Sequence, residues 1–162
     1  MSARARHWAG SDFRLPFHSE QLIAPVLVWL FTILLVLRVV GQLVVVLRAP
    51  RWLPPMEQWQ SGLLPYPVLL VAQIVVLTLM IWISIDVTKG QGYFVDPRRP
   101  DMGRAIVGFS YVYFGGMVVR YIIWMWRRPD QRWFGGTIPI IFHSFVAAFL
   151  YTFGRYHASP WQ

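Results

Sequence analysis

The sequence predicts an all-α polytopic membrane protein, with four transmembrane helices running up and down as one bundle over residues 1–162. Three observations predict it. Four apolar stretches, about 22–47, 63–87, 102–126 and 134–156, each meet or exceed the ~20 residues a helix needs to cross ~30 Å of hydrocarbon. Hydrophobic residues make up 56% of the chain and charged residues 14%, too few to coat a water-soluble core. The basic residues mostly flank the stretches, where they anchor to anionic headgroups.

The first stretch, Leu22–Leu47, is entered through Pro25, which suits a first helical turn, and is closed by Arg48-Ala49-Pro50. At about 25 apolar residues it is too long for a signal-peptide core and lacks a small-residue cleavage site, so it reads as a retained helix. A connector rich in proline and tryptophan (Trp52, Pro54, Pro55, Trp59) leads to the second stretch, Leu63–Val87. Pro65 and Pro67 fall in its opening turns, where a missing N–H is tolerated, and Thr88-Lys89-Gly90 ends it. A loop of glycine, proline and mixed charge follows. The third stretch, Met102–Trp126, carries Gly108, Gly115 and Gly116, which read as a close-packing seam against another helix. The fourth, Phe134–Tyr156, opens on Gly135-Gly136 and Pro139. No internal repeat supports an inverted-repeat transporter.

Four spans put both termini on one side. That side holds Arg4, Arg6, Arg14, Lys89, Arg98, Arg99, Arg104 and Arg155; the other holds Arg48, Arg51, Arg127, Arg128 and Arg132. The bias predicts cytoplasmic termini, and the short proline- and glycine-rich loops with arginine suggest a bacterial inner membrane. Trp52, Trp59, Trp124, Trp126 and Trp133 then fall at the outer interface as an aromatic belt.

The informative residues are the polar ones at depth. At ~1.5 Å rise per residue, Arg120 lies ~10 Å, His143 ~12 Å, and Arg38 and Gln73 ~15 Å below the outer interface. Every stretch thus places one polar side chain in the outer half of the bilayer, with Gln42 one turn above Arg38. Charge at such depth faces protein or water rather than lipid. If the side chains converge, they form a pocket with two fixed positive charges and no acid to neutralise them. Such a pocket calls for an external anion or for backbone carbonyls; the alternative is snorkelling of the long arginine stems. At the inner end, Asp86 is expected to pair with Arg104 or Arg155, and His18 and His157 lie near the same level.

Cysteine is absent, which removes disulfides, thiolate metal sites and cysteine nucleophiles. The net charge of +8 belongs to the membrane flanks, so nucleic acid is not expected. No nucleophile turn, histidine box or zinc helix motif supports autonomous catalysis. The leading expectation is therefore a non-catalytic membrane subunit or scaffold of a larger complex. It would contact membrane lipids and other membrane subunits and hold a lipid, quinone or pigment at Arg38, Gln42, Gln73, Arg120 and His143. A second reading is a b-type haem electron-transfer protein. His143 and His157 share a helix face, but no other stretch holds a histidine, so His143 would pair with Met80, Met117 or another subunit. His18 is a further candidate ligand for haem or metal. A third reading is a small homo-oligomeric anion transporter lined by Arg38 and Arg120.

Overall fold

The computed structural model describes residues 18–48, 50–53, 59, 65–97, 99–127 and 137–158. Four α-helices account for most of them: α1 (His18–Arg48), α2 (Tyr66–Lys89), α3 (Pro100–Arg127) and α4 (Thr137–Ala158). All four are long and apolar enough to span a bilayer, and the chain is an integral membrane protein of the expected class. The upper end of the bundle is where α1 and α3 terminate, and the lower end is where the α2–α3 connector runs.

The boundaries differ from expectation where proline sets them. Pro65 adopts an extended conformation (φ −57°, ψ 142°) as the N-cap of α2, so the helix begins at Tyr66 rather than near residue 63. Its carbonyl still accepts from the Leu69 N–H at 3.1 Å. Gly90 closes α2 in the left-handed region, its N–H bonding the Val87 carbonyl at 3.3 Å. At the other boundary, α1 starts four residues earlier than expected, at His18. Pro25 is therefore inside the helix rather than in its first turn, and one intrahelical hydrogen bond is forgone there.

Helix α1 is central. It packs against α2 on one side and α4 on the other, and α4 in turn carries α3. Its buried residues (Val28, Thr32, Leu35, Arg38, Gln42 and Val45) recur every three or four positions and form one stripe. Below the level of Arg38, that stripe joins Met80, Ile83 and Val87 of α2, and Phe149 and Phe153 of α4, in a single apolar core. Polar side chains tie α1 to α2 within it. Thr32 and Ser84 hydroxyls meet at 3.1 Å, and the Trp29 indole donates to Thr88 Oγ1 at 2.9 Å. Each hydroxyl is also within 2.7 Å of a carbonyl of its own helix, Val28 for Thr32 and Met80 for Ser84, so each single O–H has an acceptor within reach. Neither leaves an unmet donor in the apolar interior.

The α3–α4 seam corrects one expectation. Close approach is made by Gly103 and Gly154, not by Gly108, Gly115 and Gly116. A methyl on Gly154 would lie 2.9 Å from the Gly103 carbonyl oxygen, and one on Gly103 would lie 2.7 Å from the Gly154 carbonyl oxygen. Gly108, Gly115 and Gly116 border open space. Helix α3 buries only Gly103 and Ser110, so most of its surface is left uncovered by the described chain.

The lower end also departs from expectation. Asp86 forms no ion pair with Arg104 or Arg155; its carboxylate accepts from the Phe94 N–H at 3.2 Å, which fastens the α2–α3 connector. The ion pair found among the described residues joins Arg104 to Asp101, one turn away on α3 and exposed to solvent. Arg104 takes the local partner because three residues along a helix bring side chains together, whereas Asp86 is buried.

Candidate functional site: a polar layer in the upper half of the bundle

The layer begins on α1. Arg38 is 6% exposed and Gln42, one turn above it, 1% exposed. The stripe that carries them faces α2, so Gln42 meets Gln73, itself 8% exposed, and accepts from its amide at 3.0 Å. Gln73 is seven residues into α2, hence ~10 Å from that helix's upper end, shallower than the count from Leu63 implied.

Between the two glutamines and Arg38 comes a residue expected in the interfacial belt. Trp59 is buried, and the six-membered ring of its indole lies against Gly41. A methyl on Gly41 would stand 2.9 Å from the indole Cη2, so glycine is what admits the ring. The Trp59 carbonyl accepts from Arg38 Nη2 at 3.3 Å. Trp59 thus places one backbone carbonyl within reach of the Arg38 guanidinium. Trp52 and Trp126 remain exposed, as a belt requires; Trp133 lies outside the described residues.

On its other side Arg38 stacks on α4. Its guanidinium carbon is 5.3 Å from the centre of the Phe142 ring, within cation–π range. The next residue, His143, leads to α3: Nδ1 and the Tyr113 hydroxyl are 2.6 Å apart. The charges of Arg38 and Arg120 both reach His143, and Arg120 also reaches Tyr113. Arg120 is half-buried. The layer thus crosses all four helices in the order Gln73, Gln42 and Arg38, Phe142 and His143, Tyr113 and Arg120.

The hydrogen-bond account of this layer does not close. Among the described residues, Arg38 Nε, Gln42 Nε2, Gln73 Oε1 and the Tyr66 hydroxyl are buried and lack a hydrogen-bond partner. All four groups belong to α1 or to the facing side of α2. Among the described residues no carboxylate stands within ion-pair distance of Arg38. Two donors, one acceptor and one hydroxyl that can do either are left over, beside a cation that no described carboxylate neutralises. A buried polar group without a partner costs ~1–3 kcal/mol, and a charged one more.

The histidines separate in role. His157 is 1% exposed, with Nε2 2.6 Å from the Phe94 carbonyl and Nδ1 3.4 Å from the Arg99 N–H. Both ring nitrogens serve the α2–α3 connector, which is a structural use. The side chain of His18 lies outside the described residues. His143 has one nitrogen engaged by Tyr113. Met80 is buried in the apolar core, and Met117 is one turn from Tyr113 on α3. Among the described residues no three metal-ligating side chains cluster.

Sequence reasoning missed Trp59, Tyr66 and Tyr113. Trp59 and Tyr66, near helix ends, read as membrane-interface residues, Tyr113 sits mid-span in an aromatic-rich run, and the place of all three in the layer depends on tertiary approach. Gly41, three residues after Arg38, was the available signal, since a glycine inside an apolar helix marks close approach by something.

The chain matches no family model, no curated protein and no solved structure.

Proposed function

We propose that this protein is a non-catalytic membrane subunit or scaffold of a larger membrane complex, and that its polar layer holds a lipid, quinone or pigment. The observation that carries this reading is the set of four buried polar atoms along the upper α1–α2 seam that are unpartnered among the described residues, next to an arginine with no carboxylate among them. A fold that merely spanned the bilayer would place apolar side chains there. The uncovered surface of α3, with open glycines at 108, 115 and 116, supports the assembly half of the reading, because small residues let a neighbouring helix approach closely. The arginine and lysine bias supports cytoplasmic termini, and the arginine-bearing proline- and glycine-rich loops support a bacterial inner membrane. Arg38→Ala and Arg120→Ala are expected to weaken assembly or ligand retention on native gels, while the exposed Arg127→Ala is not. Equal behaviour of all three contradicts the reading.

A haem reading has one observation in its favour. Tyr113 holds His143 Nδ1, the kind of outer hydrogen bond that orients a ligating imidazole through its other nitrogen. A Soret band in the purified protein, lost in His143→Ala, would establish it. Anion transport has less behind it, because Arg38 is buried against Trp59 and Phe142.

A further inference from the structure

Among the described residues, every buried side-chain polar atom without a hydrogen-bond partner lies on α1 or on α2. Arg38 and Gln42 are one turn apart on α1, so their side chains are neighbours on one face. Gln42 is hydrogen-bonded to Gln73 across the seam, and Tyr66 is two turns above Gln73 on α2. Exchanging oxygen and nitrogen in both amides leaves the account unchanged, since one free N–H and one free C=O remain either way. The cluster therefore asks for one partner that is negative, accepts hydrogen bonds from a guanidinium and an amide, and donates at least one in return.

Three further facts narrow the class. First, a guanidinium edge suits the oxygens of a phosphoryl or carboxyl group. Second, Ile74 and Val76, on either side of Gln73 around α2, are exposed apolar side chains within a membrane-spanning helix, a surface for acyl chains beside the seam. Third, the Trp59 carbonyl lies beside the Arg38 guanidinium, so a polar head need not sit alone in hydrocarbon. A free inorganic anion would satisfy the first fact but makes no use of the second.

We propose that the α1–α2 seam beside Trp59 binds an acidic phospholipid. Its phosphodiester would face Arg38 Nε and the Gln42 amide, and a head-group hydroxyl would face Gln73 Oε1 or Tyr66. This rests on reading the polar layer as a ligand site, but its test is independent of whether partner subunits exist.

The experiment uses the full chain in mild detergent. Lipid retained through exchange into fresh detergent is identified by mass spectrometry, and thermal stability is measured after adding phosphatidylglycerol, phosphatidylcholine or inorganic phosphate. The expected result is a retained acidic phospholipid and an upward shift in melting temperature with phosphatidylglycerol alone. Arg38→Met should weaken retention about tenfold or more, the loss of one charge-assisted hydrogen bond. Because Arg38→Met can fail to fold, the paired variant Gln42→Leu/Gln73→Leu is measured beside it. Removing both partners of a buried hydrogen bond leaves the fold close to neutral while deleting the head-group contacts. Equal shifts with phosphatidylcholine would overturn the proposal, as would unchanged retention in both variants. A shift reproduced by inorganic phosphate with no retained lipid would overturn it in favour of a free-anion site. No retained lipid in the parent chain, with the melting temperature lowered equally by Glu57→Gln and Arg38→Met, would overturn it in favour of a counter-ion within the chain, since Glu57 is the acid nearest Trp59 in sequence.

Discussion

Arg38 poses the sharpest physical problem in the chain. A guanidinium inside a membrane helix needs partners, and it has a carbonyl, an aromatic face and an unmet Nε–H. The carbonyl and the face depend on single neighbours. Gly41 admits Trp59, so Gly41→Val should displace the indole and lower stability by ~1–3 kcal/mol, the usual cost of overpacking. Thermal unfolding of Gly41→Val, Trp59→Ala and the double variant checks this; the double variant should lose less than the sum of the two. Tyr113→Phe deletes the bond to His143 and should cost ~1 kcal/mol, about 2–4 °C in melting temperature for a chain of this size. Arg38, Gln42, Gln73, Arg120 and His143 were legible in the sequence because each interrupts an apolar run. Their neighbours Trp59, Tyr66 and Tyr113 were not, because amphipathic aromatic residues carry no depth signal of their own.

Among the helices, the spans could be read from apolar length alone, but the face each turns inward could not. α1 and α2 are apolar all round, so hydrophobic periodicity is silent. What marks the buried stripe is the polar set Thr32, Arg38, Gln42, Gln73 and Ser84, since lipid exposure would leave those groups unpaired. The same reasoning failed for glycine, because spacing cannot distinguish a glycine that meets a helix from one that faces outward. The structure separates them, and the difference is measurable. Gly154→Ala should destabilise by ~1–3 kcal/mol, because its methyl meets the α3 backbone, whereas Gly108→Ala should be neutral or gain up to ~1 kcal/mol from helix propensity. At the lower end, Asp86→Ala and His157→Phe remove the two side chains that hold the α2–α3 connector at Phe94 and Arg99. Hydrogen exchange across residues 90–99 should accelerate in both, with the spans unchanged.

As a whole, the molecule is a frame of three helices in contact through α1, with α3 attached by one seam and otherwise bare. Apolar surface facing lipid gains nothing from being covered by more lipid, so association must come from close packing and from polar contacts. The polar layer and the open side of α3 are the two places where this chain offers them. The subunit reading predicts that Gly108→Leu leaves the isolated protein as stable as the parent but weakens its assembly, the opposite of what Gly154→Ala should do. The most direct test is purification from native membranes in mild detergent, followed by mass spectrometry of everything retained and an absorption spectrum. Partner membrane proteins at fixed stoichiometry, reduced in Arg38→Ala, are the predicted result. A clean homo-oligomer without partners, unchanged by Arg38→Ala, would contradict it.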